Sequence, residues 1–180
     1  MTYRNSIIDG FFGAMLFNFN EVKKGEGLPV IPILRPIMRS SWRLLIEFAD
    51  TEDAWICPIR QVCGDDSYYS ISKNEIIVPE KEQYKDVEHF ALDVVHNMAH
   101  SYVSERNLNL FNGSEYAKEE LYAEMVAYAI GFYIGIHKFD HKDDSTPYFK
   151  TWAELNEEEY KEIVYNARNT TYAILKAVLD

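Results

Sequence analysis

The sequence His96-Asn97-Met98-Ala99-His100 decides most of what can be predicted about this chain. It lies near the end of a helix predicted over residues 85–103, where apolar side chains recur at helical spacing. Histidines four positions apart lie on one face of a helix, so two imidazoles can reach the same metal ion. The spacing therefore predicts one half of a metal site, and a further ligand has to come from another element.

A second predicted helix, over residues 115–136, carries four carboxylates in its first ten residues: Glu115, Glu119, Glu120 and Glu124. Glu120 and Glu124 share a face because they are four positions apart. Burying a carboxylate in so apolar a helix is costly unless it is paired or binds a metal. We therefore expect one of these two to complete a three-ligand set with the histidines, and the residues alone leave open which. Glu119 is expected to be a solvated residue at the helix start.

Two short strands are predicted before the histidine-bearing helix, at 68–71 and 75–79, each next to a turn. A final helix is predicted at 156–178. The expected fold is therefore α+β and mainly helical, with a small β-sheet preceding the helix that carries the two histidines. Residues 61–180 are expected to form one compact unit.

The first 60 residues show no regular pattern. Pro29, Pro32 and Pro36 exclude a regular helix around them, and residues 42–49 fit a helix or a strand equally well. We therefore predict that residues 1–60 are an irregular lead-in rather than a second full domain.

The charge balance is acidic, with 18 Lys and Arg against 29 Asp and Glu and a net charge of -11. An acidic surface repels phosphate backbones, so tight nucleic-acid binding is disfavoured and a protein or peptide partner is expected instead. The two cysteines, Cys57 and Cys63, are too few for a disulfide framework and are predicted to be reduced, buried thiols of a cytoplasmic protein. The chain has no signal-peptide pattern and no run of about 20 apolar residues, so no membrane span is expected.

Four stretches occur in the order in which one known family carries them. They are Asp66–Ser70 with Asn74–Pro79, His96–Ser101, Tyr116–Glu124, and the closing positions Tyr148, Trp152, Ala167 and Ala173. On these stretches the chain resembles the zincin-like metallopeptidase domain of the ArdC-type antirestriction proteins of plasmids and phages. The second stretch is similar to that family's HELAHxTG and the third to its YAREELVAEL. The resemblance covers residues 64–178.

The resemblance implies a zincin-like fold with zinc as the cofactor. It implies that His96 and His100 are metal ligands. By the pattern of thermolysin-like enzymes it also implies that Glu120 is the third ligand, and that Glu124 holds a ligating histidine in place.

The chain departs from the family at the residue that activates water. The family's general-base glutamate is Asn97 here, and a carboxamide cannot accept a proton at neutral pH. General base catalysis commonly contributes about 10²–10⁴-fold, so we expect peptide hydrolysis to be very slow. The single-stranded-DNA-binding domain that usually precedes this module in the family is expected to be absent or reduced to residues 1–60.

The preferred hypothesis is a zincin-like metal-binding domain with weak or no peptidase activity that acts by binding a partner. One alternative is an active zinc metallopeptidase with an atypical base, which would use metal-bound hydroxide with help from Asn97, Asp93 or a tyrosine. Another is a non-enzymatic antirestriction protein that acts on DNA or on a restriction enzyme. Asp93 is otherwise expected to be a solvent-facing helix residue.

Several other histidines and tyrosines are expected to be structural. His89 is expected to have a structural role, and His137 and His141 to lie at the surface. Three tyrosines could supply a hydroxyl to an oxyanion, but packing is the favoured role for each: Tyr116, Tyr122 and Tyr148.

Overall fold

A computed structural model of the protein describes residues 41–51, 54–104, 114–134, 136 and 155–179. The proline-containing segment of the first 40 residues lies outside these ranges, so the irregular lead-in stays a prediction. Four residues considered above also lie outside the described residues: His137, His141, Tyr148 and Trp152.

The described residues form four helices and three strands. In chain order these are α1 (Ser41–Ala49), β1 (Ile59–Val62), β2 (Tyr68–Ser70), β3 (Glu75–Pro79), α2 (Val87–Ser104), α3 (Ser114–Ile134) and α4 (Glu157–Leu179). A 3-10 turn at Lys81–Gln83 connects the sheet to α2. The predicted mainly helical α+β fold, with a small sheet ahead of the histidine-bearing helix, is confirmed.

The three strands form one sheet in the order β1-β3-β2. Strand β3 is central; it pairs in parallel with β1 through Ile59 and Ile76, and antiparallel with β2 through Tyr69 and Ile76. Strand β1 was not predicted from the sequence. Only its first residue is buried, and its polar centre carries no apolar alternation, so its pairing with β3 is what makes it a strand.

The helices enclose the apolar core, and α3 and α2 contribute most of it. The core face of α2 is the one predicted from the sequence. Its predicted apolar positions Phe90, Val94 and Met98 are all fully buried. Helix α3 contacts α2 and α4. Residues 42–49, which fit a helix or a strand by their sequence, belong to α1, and α1 contacts α2. None of the helices in the described ranges is long and apolar enough to cross a membrane.

Both ends of α2 are fixed by side chains. At its start Asp86 accepts a hydrogen bond from the backbone N–H of His89 at 3.0 Å and pairs with the His89 ring at 2.6 Å. His89 is therefore structural, as predicted. Near its end the Trp55 indole N–H donates to the Ser101 hydroxyl at 2.8 Å. These contacts fix the helix on either side of the histidine pair.

Both cysteines are free thiols. Cys57 is buried, as expected, but Cys63 is exposed, so the prediction of two buried thiols is wrong for Cys63. The reason is its position directly after the edge strand β1, where the chain turns at the surface.

Candidate metal centre

Two neighbouring helices bring His96, His100 and Glu120 to one point. The Nε2 atoms of the two histidines are 2.9 Å apart. The Glu120 carboxylate lies 3.4 Å from the Nε2 of His96 and 3.6 Å from the Nε2 of His100. One potential ligand atom from each residue lies within 4.8 Å of the others. Three residues separated in the sequence thus form a compact donor set.

This donor set matches the requirements of zinc. Two imidazole nitrogens and one carboxylate oxygen are ordinary zinc ligands. Zinc bonds of about 2.0–2.1 Å in a tetrahedral arrangement hold the ligand atoms about 3.3 Å apart. The two Nε2 atoms are 2.9 Å apart, Glu120 Oε2 lies 3.4 Å from that of His96, and Glu120 Oε1 lies 3.6 Å from that of His100, so each pair of residues has one donor-atom separation near this spacing.

The charges at the site couple His96 to Glu120. Burial by itself would lower the pKa of His96, but its contact with Glu120 and the charges of Glu124, Glu120 and Asp93 outweigh burial and raise that pKa. Burial would likewise raise the pKa of Glu120, and the two histidines and the Tyr116 hydroxyl together lower it. The arrangement therefore favours a positive charge next to these carboxylates, as a bound cation also would supply.

Glu119 contacts the other nitrogen of His100. Its Oε1 lies 2.7 Å from the His100 Nδ1, and the side chain is only 4% exposed. Its Oε2 is buried without a hydrogen-bond partner among the described residues. The expectation that Glu119 is solvated is therefore wrong, because α3 begins packing on α2 before this residue. The sequence offered one signal for a buried carboxylate here. Glu119 directly precedes Glu120 in a helix that becomes apolar a few residues later.

Glu124 contacts the other nitrogen of His96, but more loosely. Its Oε1 is 3.6 Å from the His96 Nδ1, and the side chain is 38% exposed. Each histidine thus presents Nε2 to the common point and has a carboxylate near Nδ1. Such a carboxylate orients an imidazole and fixes which nitrogen carries the proton.

Asn97 is 2% exposed, and its side-chain amide donates hydrogen bonds to Ser67 and to Asp93. Its Nδ2 lies 2.7 Å from the Ser67 hydroxyl, 3.0 Å from the Asp93 backbone carbonyl and 3.4 Å from the Asp93 Oδ1. Asp93 also accepts a hydrogen bond from the Tyr84 hydroxyl. The expectation that Asp93 simply faces solvent is therefore wrong, because Tyr84, directly after the 3-10 turn, and Asn97, one turn along α2, both donate to it.

Two tyrosines considered above differ in their surroundings. The Tyr122 side chain is buried and its hydroxyl bonds to Thr170 of α4, which is a packing role. Tyr116 is 46% exposed and its hydroxyl bonds to Glu120, so it lies at the rim of the site.

Comparison with known proteins identifies the family. A family model described as zincin-like metallopeptidase matches residues 51–169. The chain is also 28% identical over 123 residues to the DNA primase TraC of Escherichia coli, a match that covers 66% of this chain and 8% of that protein. The chain thus spans less than a tenth of the length of this relative. No solved structure matches the chain significantly. Because the family match covers more than half of the sequence, the protein belongs to the zincin-like metallopeptidase family.

Proposed function

We propose that this protein is a zinc-binding zincin-like domain with weak or no peptidase activity that acts by binding a protein or peptide partner. The observation that carries the proposal is the convergence of His96, His100 and Glu120 beside an amide, Asn97, in place of a proton acceptor. The fold and the donor set support metal binding, while Asn97 argues against efficient hydrolysis.

The ligand roles follow from the contacts. His96 and His100 offer Nε2, and Glu120 offers a carboxylate to the same point. Glu119 and Glu124 hold the two imidazoles from their Nδ1 sides. A zinc ion held there would act as a Lewis acid that polarises an oxygen of a bound group. Three protein ligands leave a position open for that group.

Asn97 cannot take a proton from water. Asp93, one turn before Asn97 in α2, is one alternative base, but both of its carboxylate oxygens already accept hydrogen bonds from Tyr84 and Asn97. The atypical-base hypothesis therefore receives no support from these contacts. The net charge of -11 supports a protein or peptide rather than a nucleic acid as the partner.

Zinc content of the purified protein tests the metal assignment. We expect about one zinc ion per chain in the wild type and none in His96→Ala, measured by elemental analysis and native mass spectrometry. His89→Ala is the matched control, because His89 lies on the same helix but pairs with Asp86. Zinc-free wild-type protein, after refolding with zinc present, would overturn the proposal.

A protease assay tests the loss of hydrolysis. With zinc bound, the wild type should cleave unstructured peptides no faster than His96→Ala. Zinc-dependent cleavage that disappears in His96→Ala would instead establish the atypical-base alternative.

A second candidate is a role in DNA processing or antirestriction on mobile elements. The resemblance to ArdC-type proteins and the match to a protein named DNA primase favour it. A direct DNA contact would weaken steeply with added salt, because phosphate binding releases counterions. If the protein binds a restriction enzyme but not DNA, this role is one form of the proposed partner binding. The two free cysteines fit a cytoplasmic location in either case.

A further inference from the structure

A polar network surrounds the residue that replaces the catalytic glutamate. It joins Asn97 and Asp93 of α2, Ser67 of the loop before β2, and Tyr84 of the segment before α2. The Asn97 amide donates to the Ser67 hydroxyl and to both the backbone and the carboxylate of Asp93. The Tyr84 hydroxyl donates to the other Asp93 oxygen and also bonds to Ser67.

The network works only with a donor at position 97. The Asp93 backbone carbonyl and carboxylate are acceptors, and they face the Asn97 nitrogen at 3.0 and 3.4 Å. A carboxylate at position 97 would place two acceptors against each other in a site that is 2% exposed at Asn97. Buried acceptors that face each other without a hydrogen between them are destabilising.

We propose that Asn97 is a positioning residue whose amide fixes the Asp93 carboxylate, and that position 97 tolerates a carboxylate only when residue 93 becomes a donor. This deepens the proposed loss of peptidase activity and rests on that proposed function. Two features oppose hydrolysis at this site. Position 97 has no general base, and the two carboxylate oxygens of Asp93 accept hydrogen bonds from Tyr84 and Asn97. Replacing Asn97 by Glu alone therefore does not recreate a working general base.

The test is a thermal-stability cycle on the full chain in the presence of a chelator. Asn97→Asp keeps the side-chain shape and replaces the donor nitrogen by an acceptor oxygen. We expect it to lower the melting temperature by about 4–10 °C. Asp93→Asn alone should change it by about 2 °C or less, because either end of its amide can meet Tyr84.

The informative double variant exchanges the amide and the carboxylate between positions 97 and 93. In Asn97→Asp combined with Asp93→Asn, an amide at 93 can donate to a carboxylate at 97, while the backbone carbonyl of residue 93 still faces that carboxylate. Part of the lost melting temperature should therefore return. Asn97→Asp combined with Glu88→Gln is the matched control, since it removes the same charge from α2 outside the network, and it should recover nothing. If Asn97→Asp does not fold alone, recovery of a folded protein by Asp93→Asn but not by Glu88→Gln is the same positive result.

Additive effects of the two substitutions, equal rescue by Glu88→Gln, or a double variant that does not fold would each overturn the proposal. These measurements use metal-free protein, so they are separate from zinc content, which tests the proposed function. A functional readout completes the design. Asn97→Glu should remain inactive in the protease assay, whereas Asn97→Glu with Asp93→Asn should gain zinc-dependent cleavage. Equal cleavage by both would contradict the coupling of position 97 to position 93.

Discussion

Truncating Glu119 should weaken zinc binding far more than truncating Glu124, although the sequence pattern singles out Glu124. Both carboxylates lie near an Nδ1 atom of one of the two proposed histidine ligands, and both can be replaced by alanine. The Glu119 contact is 2.7 Å long with a side chain that is 4% exposed, whereas the Glu124 contact is 3.6 Å with 38% exposure. Distance and burial both favour Glu119 as the stronger support for its imidazole.

The magnitude follows from these contacts. Loss of an outer partner of a metal-bound histidine typically costs about 10–100-fold in metal affinity, which is about 1.4–2.7 kcal/mol. We expect Glu119→Ala to fall in this range. An exposed ion pair contributes only about 0.2–1 kcal/mol, so Glu124→Ala should weaken zinc binding by about fivefold at most.

The assay is competition for zinc between each variant and a chromophoric chelator at neutral pH. The melting temperature of the metal-free variants is the control for folding. Glu119→Ala removes an oxygen without a partner among the described residues and also the 2.7 Å contact with His100, so the zinc affinity is compared only between variants shown to be folded. Equal affinities for the two variants, or a larger loss in Glu124→Ala, would refute the argument from distance and burial.

Three further predictions concern the scaffold. The hydrogen bond with His89 holds the pKa of Asp86 below its usual value, so its carboxylate stabilises the fold above its unfolded pKa of about 4 and that stabilisation is lost as the pH falls through the lower folded pKa. Urea unfolding should therefore show a gap below about 1 kcal/mol between wild type and Asp86→Asn, and the gap should close in acid. Met98→Ala should lower the free energy of unfolding by about 2–5 kcal/mol, since Met98 is fully buried; a loss below about 1 kcal/mol would contradict its place in the core. A thiol reagent should label Cys63 rapidly in the native protein and Cys57 only on unfolding, because burial raises the pKa of the Cys57 thiol.

Local patterns in the sequence were sufficient to predict the main helices and strands and the shared face of His96 and His100. Apolar spacing predicts α2, and the four-residue interval places His96 and His100 on one face because both properties depend only on helix geometry. The class of fold and the family follow from the order of the matched stretches. The lack of a proton acceptor at position 97 is likewise predicted from the sequence, because the amide of Asn97 is not basic at neutral pH in any surroundings.

The contacts between helices and strands could be determined only from the tertiary structure. Strand β1 has no apolar alternation and exists through its pairing with β3. Glu119 reads as a solvated helix start, but α3 packs on α2 and buries it against His100. Asp93 reads as a surface residue, but the segment carrying Tyr84 reaches it and donates a hydrogen bond to its carboxylate. Sequence spacing determines which side chains share a face, whereas the burial and partners of a carboxylate depend on which other element covers that face.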